Sequence, residues 1–185
     1  MAIRFDHPQL QEAYAVMQNA GPRGRELAAL LERRATRVRL SARVVGGLTL
    51  NFINTIFLQP PDSAASDLQF KLWVTLLAHE ACHIEQGFWV DSVQQEIIAY
   101  QTQLRVADEL GVDLGSLREA FANLNPTLTE HQQRAQTALR SIFFGAPAAL
   151  VYAALPLAQP RGLRAILPGA RELVAVVRAG TRART

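Results

Sequence analysis

Apolar and polar positions alternate along this chain with two different periods, and the switch between them predicts its elements. From Pro8 to about Arg34 the apolar residues, among them Leu27, Leu30 and Leu31, recur at helical spacing. Gly21-Pro22 interrupts that stretch, so two helices are expected, with Pro22 at a first helical position. The period then shortens. Residues 37–45 alternate in part, Gly46-Gly47 punctuates, and a β-rich run from Leu48 to Leu58 follows, which reads as two strands joined by a tight Gly-Gly turn. Pro60-Pro61 ends the second strand. Helical periodicity returns from Ser66 or Asp67 through Gln86, with Gly87 as its stop. Asp91 or Ser92 is placed to cap a further helix running to about Leu110 and closed by Gly111. Two more helices are expected over 113–124 and 127–144, separated by Asn125-Pro126, and a last amphipathic one over 169–179. The expected class is α+β, mostly α, with a small antiparallel β-hairpin ahead of the central helices.

Length and composition narrow this further. The 185 residues suit one domain: N-terminal helices over 1–35, a hairpin over 36–60, a helix pair over 66–110 and C-terminal helices over 111–185. Hydrophobic residues make up 49% and charged residues 19%, which excludes a disordered charged tail. A single cysteine cannot form an internal disulfide, and no apolar run follows the first Arg, so a reducing, cytoplasmic setting is the expectation. The net charge of +3 is unevenly spread: residues 1–45 carry +4, 46–110 carry −6, 111–160 cancel, and 161–185 carry +5. A nucleic-acid binder puts its basic residues on the functional element, whereas here the middle is acidic and suits a cation. Nucleic acid is therefore disfavoured as a partner. The uncharged stretch 142–158 is 17 residues long and broken by Pro147 and Pro156, short of the roughly 20 that a spanning helix needs. Membrane association through 142–179 is a minority reading.

The acidic middle contains Leu77-Ala78-His79-Glu80-Ala81-Cys82-His83, a His-Glu-x-x-His motif inside a helix. His79 and His83 are four apart, so both imidazoles leave one helix face a turn apart and can reach one Zn²⁺. Glu80 projects beside that face, where its carboxylate can take a proton from metal-bound water. With four His and ten Glu in the chain, chance gives about 0.005 such motifs. The residues around the pair are apolar, and two histidines and an acid buried without a ligand conflict with their desolvation cost. One zinc per chain resolves that conflict.

A catalytic zinc site takes three protein ligands and keeps one position open. If Gly87 to Val90 turn the chain, the flanking helices run antiparallel. His83 precedes the turn by four residues and Glu96 follows Asp91 by five, so at about 1.5 Å per residue the two are nearly level. Glu96 is the favoured third ligand, with Asp91 and His131 as the alternatives. Glu85 faces away, and Asp108 lies three turns beyond. Tyr100, one turn after Glu96, reads either as an oxyanion donor or as an aromatic packed between helices. Asn51 and Asn54 read as holders of a substrate backbone or as turn-adjacent polar residues. Cys82 reads as a small buried hydrophobe. Gln86, a turn after His83, has a partner that the sequence does not specify.

LLAHEACHIEQG followed by EIIAYQTQLRVADELG resembles a minimal gluzincin-type zinc metallopeptidase and is similar to the ImmA/IrrE-type peptidases. The resemblance implies a zincin-like fold and a third ligand in a Glu-x-x-Ala pattern, matched by Glu96 and Ala99. It also implies a peptide or protein substrate lying in extended form on the strand over 48–58. The expected activity is zinc-dependent peptide-bond hydrolysis of narrow specificity, with Glu80 as general base. The alternative is a catalytically inactive metal-binding interaction module.

Overall fold

The structure, a computed structural model, describes residues 2–62, 65–87, 91–142, 152 and 155–158. The contacts between residues form two compact units, one of residues 1–87 and 99–118, the other of residues 88–98 and 119–185. The helix expected over 169–179, the turn at 88–90 and most of the stretch 142–158 lie outside the described residues.

In the first unit the chain runs through β1 (Arg4–Phe5), α1 (Pro8–Ala20), α2 (Pro22–Arg33), β2 (Arg37–Leu40), β3 (Gly47–Leu50), a 3₁₀ turn (Asn51–Ile53), β4 (Thr55–Leu58) and α3 (Asp67–Gln86). The break at Gly21-Pro22 and the stop at Gly87 fall where the sequence puts them. Helix α3 begins with a capping box, in which the Ser66 hydroxyl accepts from the Gln69 amide and the Gln69 side chain accepts from the Ser66 amide. It ends at Gly87, whose φ of 70° is the left-handed conformation that glycine adopts without strain.

The class is α+β and mostly helical, but the sheet differs from the expected hairpin. It has four strands in the order β1-β2-β4-β3. Strands β1, β2 and β4 are mutually parallel, and only β3 runs antiparallel, against β4. The reversal lies at Asn51–Asn54 and not at Gly46-Gly47. There a 3₁₀ turn closes on Asn54, which takes φ 49° and ψ 52°, a left-handed conformation that asparagine tolerates. Its side chain holds the turn: the amide donates to the Arg34 carbonyl, and the oxygen accepts from the Thr36 hydroxyl at 3.0 Å. Residues 41–46 instead carry the chain past the place that β4 fills, so β3 becomes the sheet edge.

One core joins these elements. Leu10, Ala13 and Met17 of α1, Leu27, Ala28 and Leu31 of α2, Val38 of β2, Ile56 and Leu58 of β4, and Val74, Leu77, Ala78, Ala81 and Ile84 of α3 are fully buried in it. The inner face of α3 is thus fixed on one side by helices and on the other by the sheet.

The fourth helix, α4 (Val93–Glu109), is continuous; its residues from Ala99 onward belong to the first unit and the earlier ones to the second. At its last residue the Glu109 carboxylate accepts from the backbone amides of Arg23 and Gly24 at 2.7 and 2.9 Å, capping the N-terminus of α2. Gly21 leaves the space that this side chain fills.

In the second unit Ser92 caps α4, its hydroxyl accepting from the Gln95 amide. The amides of Val93 and Gln94 donate to the carbonyls of Pro156 and Leu157, both at 2.9 Å. Helix α6 (Thr129–Ile142) buries Gln132, Ala135 and Leu139, and the short α5 (Gly115–Phe121) crosses from one unit to the other. Among the described residues, no helix is long and apolar enough to cross a membrane.

Replacing Glu109 with Ala removes both acceptors from the first turn of α2. The expected cost is about 1–2 kcal/mol of unfolding free energy, read as a lower urea midpoint at unchanged slope. Glu109→Gln, which keeps one acceptor, is expected to fall between that variant and the original.

Candidate metal centre

The site is built on the C-terminal half of α3, where eight consecutive residues from Leu77 to Ile84 are buried. That burial follows from packing α3 on two sides. A helix exposed on one face would bury only a stripe, whereas here the His-Glu-x-x-His face is covered as well. His79 and His83 are each 4% exposed, and Glu80 is 5% exposed.

The two imidazoles meet through their Nε2 atoms, 3.2 Å apart. Two nitrogens at about 2.0–2.1 Å from one tetrahedral zinc stand about 3.3 Å apart, so this separation fits a shared ion. The proton arrangement fits as well. Nδ1 of His83 lies 3.1 Å from Oε1 of Gln86. A proton on Nδ1 would bond that oxygen and leave the Nε2 lone pair to a metal. Gln86 thereby has the partner that the sequence did not specify.

Glu96, also 4% exposed, lies on the first turn of α4. One ligand atom from each of His79, His83 and Glu96 lies within 4.8 Å of the other two. Tyr100 lies one turn after Glu96 on the same helix. Tyr100 packs its ring edge-on against His79, with centroids 4.5 Å apart and planes at 69°. Two imidazoles and one carboxylate are the donor set that zinc takes at a site with an open fourth position.

The remaining residues considered for the site sit elsewhere. Among the described residues, neither Asp91 nor His131 joins the group of three. Nδ1 of His131 accepts from the Asn125 amide at 2.7 Å and so closes its own turn. Cys82 is fully buried, its sulfur accepting from the Thr102 hydroxyl at 3.4 Å. Burial pushes its thiol up from the usual value, against the opposing pull of that hydrogen bond. Glu85 turns away to Arg23, which also reaches Glu26. The Arg23 guanidinium is held above its ordinary value, chiefly by the hydrogen bond to Glu85.

The edge strand β3 and the turn after it run along the same helix. The Asn51 side chain donates to the His83 carbonyl at 3.1 Å, a carbonyl that also takes the Gly87 amide at 3.1 Å. The Thr49 hydroxyl lies 3.0 Å from the Glu80 carbonyl and 2.8 Å from Oε2 of the Glu80 carboxylate. Two residues considered as holders of substrate are thus engaged by the protein itself, Asn51 by α3 and Asn54 by the end of α2 and the residues after it. Thr49 did not stand out in the sequence, and Gly47 did so only as half of the expected Gly-Gly turn. The signal was there: with a period of two, both share a strand face with Asn51.

No protein-family model matches the chain, and no curated protein or solved structure matches it either.

Protein prepared in zinc, desalted and measured by elemental mass spectrometry is expected to carry about one zinc per chain, and His79→Ala is expected to carry none. Excess zinc is expected to raise the melting temperature of the original chain. At a free concentration of 100 times Kd the gain is about 2.7 kcal/mol, and His79→Ala should lack it.

Proposed function

We propose that this chain is a zinc-dependent peptidase that hydrolyses peptide bonds, with zinc held by His79, His83 and Glu96 and with Glu80 as general base. The observation that carries this reading is the close, buried grouping of two facing imidazoles and a carboxylate beside a second buried acid. Zinc there would supply a Lewis acid for the scissile carbonyl and lower the pKa of a bound water.

The work of the chain's own residues follows from their positions. His83, oriented by Gln86, presents Nε2. His79 is set by the ring of Tyr100. Glu80 takes a proton from the attacking water at its carboxylate and returns it to the departing amine, so the bond to nitrogen breaks with a neutral leaving group. The apolar residues around the motif, Leu77, Ala78, Ala81 and Ile84, are fully buried in the core, so the helix that carries the acid is anchored there. An extended peptide is the substrate that suits β3, because β3 pairs with β4 on one side and leaves its other backbone groups at the sheet edge. A hydrogen-bonded substrate strand along β3 would run past Glu80, which Thr49 ties to the same strand.

A second reading, a catalytically inactive metal-binding module, draws on the same burial. Ligand residues that are each 4% exposed suit a closed structural site as well as an open catalytic one.

The two readings part at Glu80. In the peptidase, Glu80→Gln is expected to keep its zinc while hydrolysis of a quenched-fluorescent peptide library falls by about 10²–10⁴. Cleavage retained in that variant contradicts the mechanism, and no cleavage by the zinc-loaded original contradicts the peptidase reading.

A further inference from the structure

The edge strand β3 does more than border the helix: its side chains and one missing side chain close around Glu80. Thr49 pairs with Ile56 across β3 and β4, and Ile56 is fully buried in the core, so Thr49 points to the α3 side of the sheet. Gly47 is two residues earlier and faces the same way. A Cβ placed on Gly47 would fall onto the Glu80 carboxylate and its Cγ. Gly47 is not among the glycines with positive φ, so its backbone does not demand glycine; the space does. The Glu80 side chain therefore lies flat along β3 in the notch that Gly47 leaves.

At the end of that notch stands the Thr49 hydroxyl. It has one proton to give and two acceptors in reach, the Glu80 carboxylate oxygen Oε2 at 2.8 Å and the Glu80 backbone carbonyl at 3.0 Å. The charged acceptor is closer and the stronger partner. A carboxylate that is 5% exposed needs such donors, since burying its charge without them is costly. The β-branched side chain of Thr49 is stiff about χ1, so the donor is held in place before the acid arrives.

We infer that Thr49 is a positioning residue for Glu80, its hydroxyl and the notch at Gly47 together holding the carboxylate in one orientation against the edge strand. The consequence for catalysis rests on Glu80 being the general base proposed above; the hold itself does not. If a substrate strand docks on β3, the strand that aligns the peptide is also the one that aligns the base.

The test uses zinc-loaded protein labelled with ¹³C at the glutamate side-chain carboxyls, the Glu80 signal being the one absent from Glu80→Gln. Thr49→Val keeps the shape and removes the donor, and Thr49→Ser keeps the donor. In Thr49→Val and in Gly47→Ala the Glu80 signal is expected to move, and in Thr49→Ser to stay in place. With the best-cleaved member of the peptide library, Thr49→Val should lower kcat about tenfold at unchanged KM, with Thr49→Ser restoring it. A Glu80 signal that stays put in folded Thr49→Val overturns the inference. So does a Thr49→Ser variant as impaired as Thr49→Val. If the original chain cleaves no peptide, the peptidase reading falls, while the carboxyl signal still decides whether Thr49 holds Glu80.

Discussion

Two imidazole nitrogens 3.2 Å apart in a buried place, with a carboxylate close by, form the constraint on which the rest of this structure turns. Without an ion, the two facing nitrogens can meet only with one imidazole donating to the other. A divalent cation could take all three groups as ligands, which would make their proximity favourable. The neighbouring contact of His83 Nδ1 with Gln86 Oε1 suits the tautomer that a metal needs. The donor geometry is thus prepared by side-chain packing and by one helix turn.

The surrounding fold serves to keep that turn in place. Helices α1 and α2 bury one side of α3, and β4 buries another. Strand β3 and the turn after it add polar ties to the motif itself, through the Thr49 hydroxyl to Glu80 and the Asn51 side chain to the His83 carbonyl. Farther along, Glu109 caps α2 from the end of α4, so the helix that carries Glu96 and Tyr100 is anchored at its far end as well.

Much of this was legible in the sequence because it depends on local rules. The i, i+4 spacing of His79 and His83 determines a shared face whatever the tertiary structure. Gly21-Pro22 and Gly87 end helices through backbone chemistry that no packing overrides. The grouping of Glu96 with the histidines could be anticipated from the rise per residue together with a turn expected at 87–90, with Asp91 and His131 as alternatives. Strand pairing was different. The alternation over 37–58 shows strands but says nothing of their order, and the turn chosen, Gly46-Gly47, was the stronger local signal. The chain reverses instead at Asn54, whose left-handed conformation is held by Arg34 and Thr36, residues distant in sequence. Strand β1, two residues long, is too short to leave a pattern. The roles of Thr49, Gly47 and Gln86 depend on which surfaces meet, and a small polar residue in a strand or at a helix end carries no mark of that.

The most direct test of the account is X-ray absorption spectroscopy at the zinc edge on the protein loaded with one equivalent of zinc. The account predicts a shell of nitrogen and oxygen donors alone at about 2.0–2.1 Å, with the outer-shell scattering of two imidazoles. A sulfur donor at about 2.3 Å would place Cys82 on the metal and contradict it. So would a shell of oxygen alone, which would mean that His79 and His83 do not hold the ion.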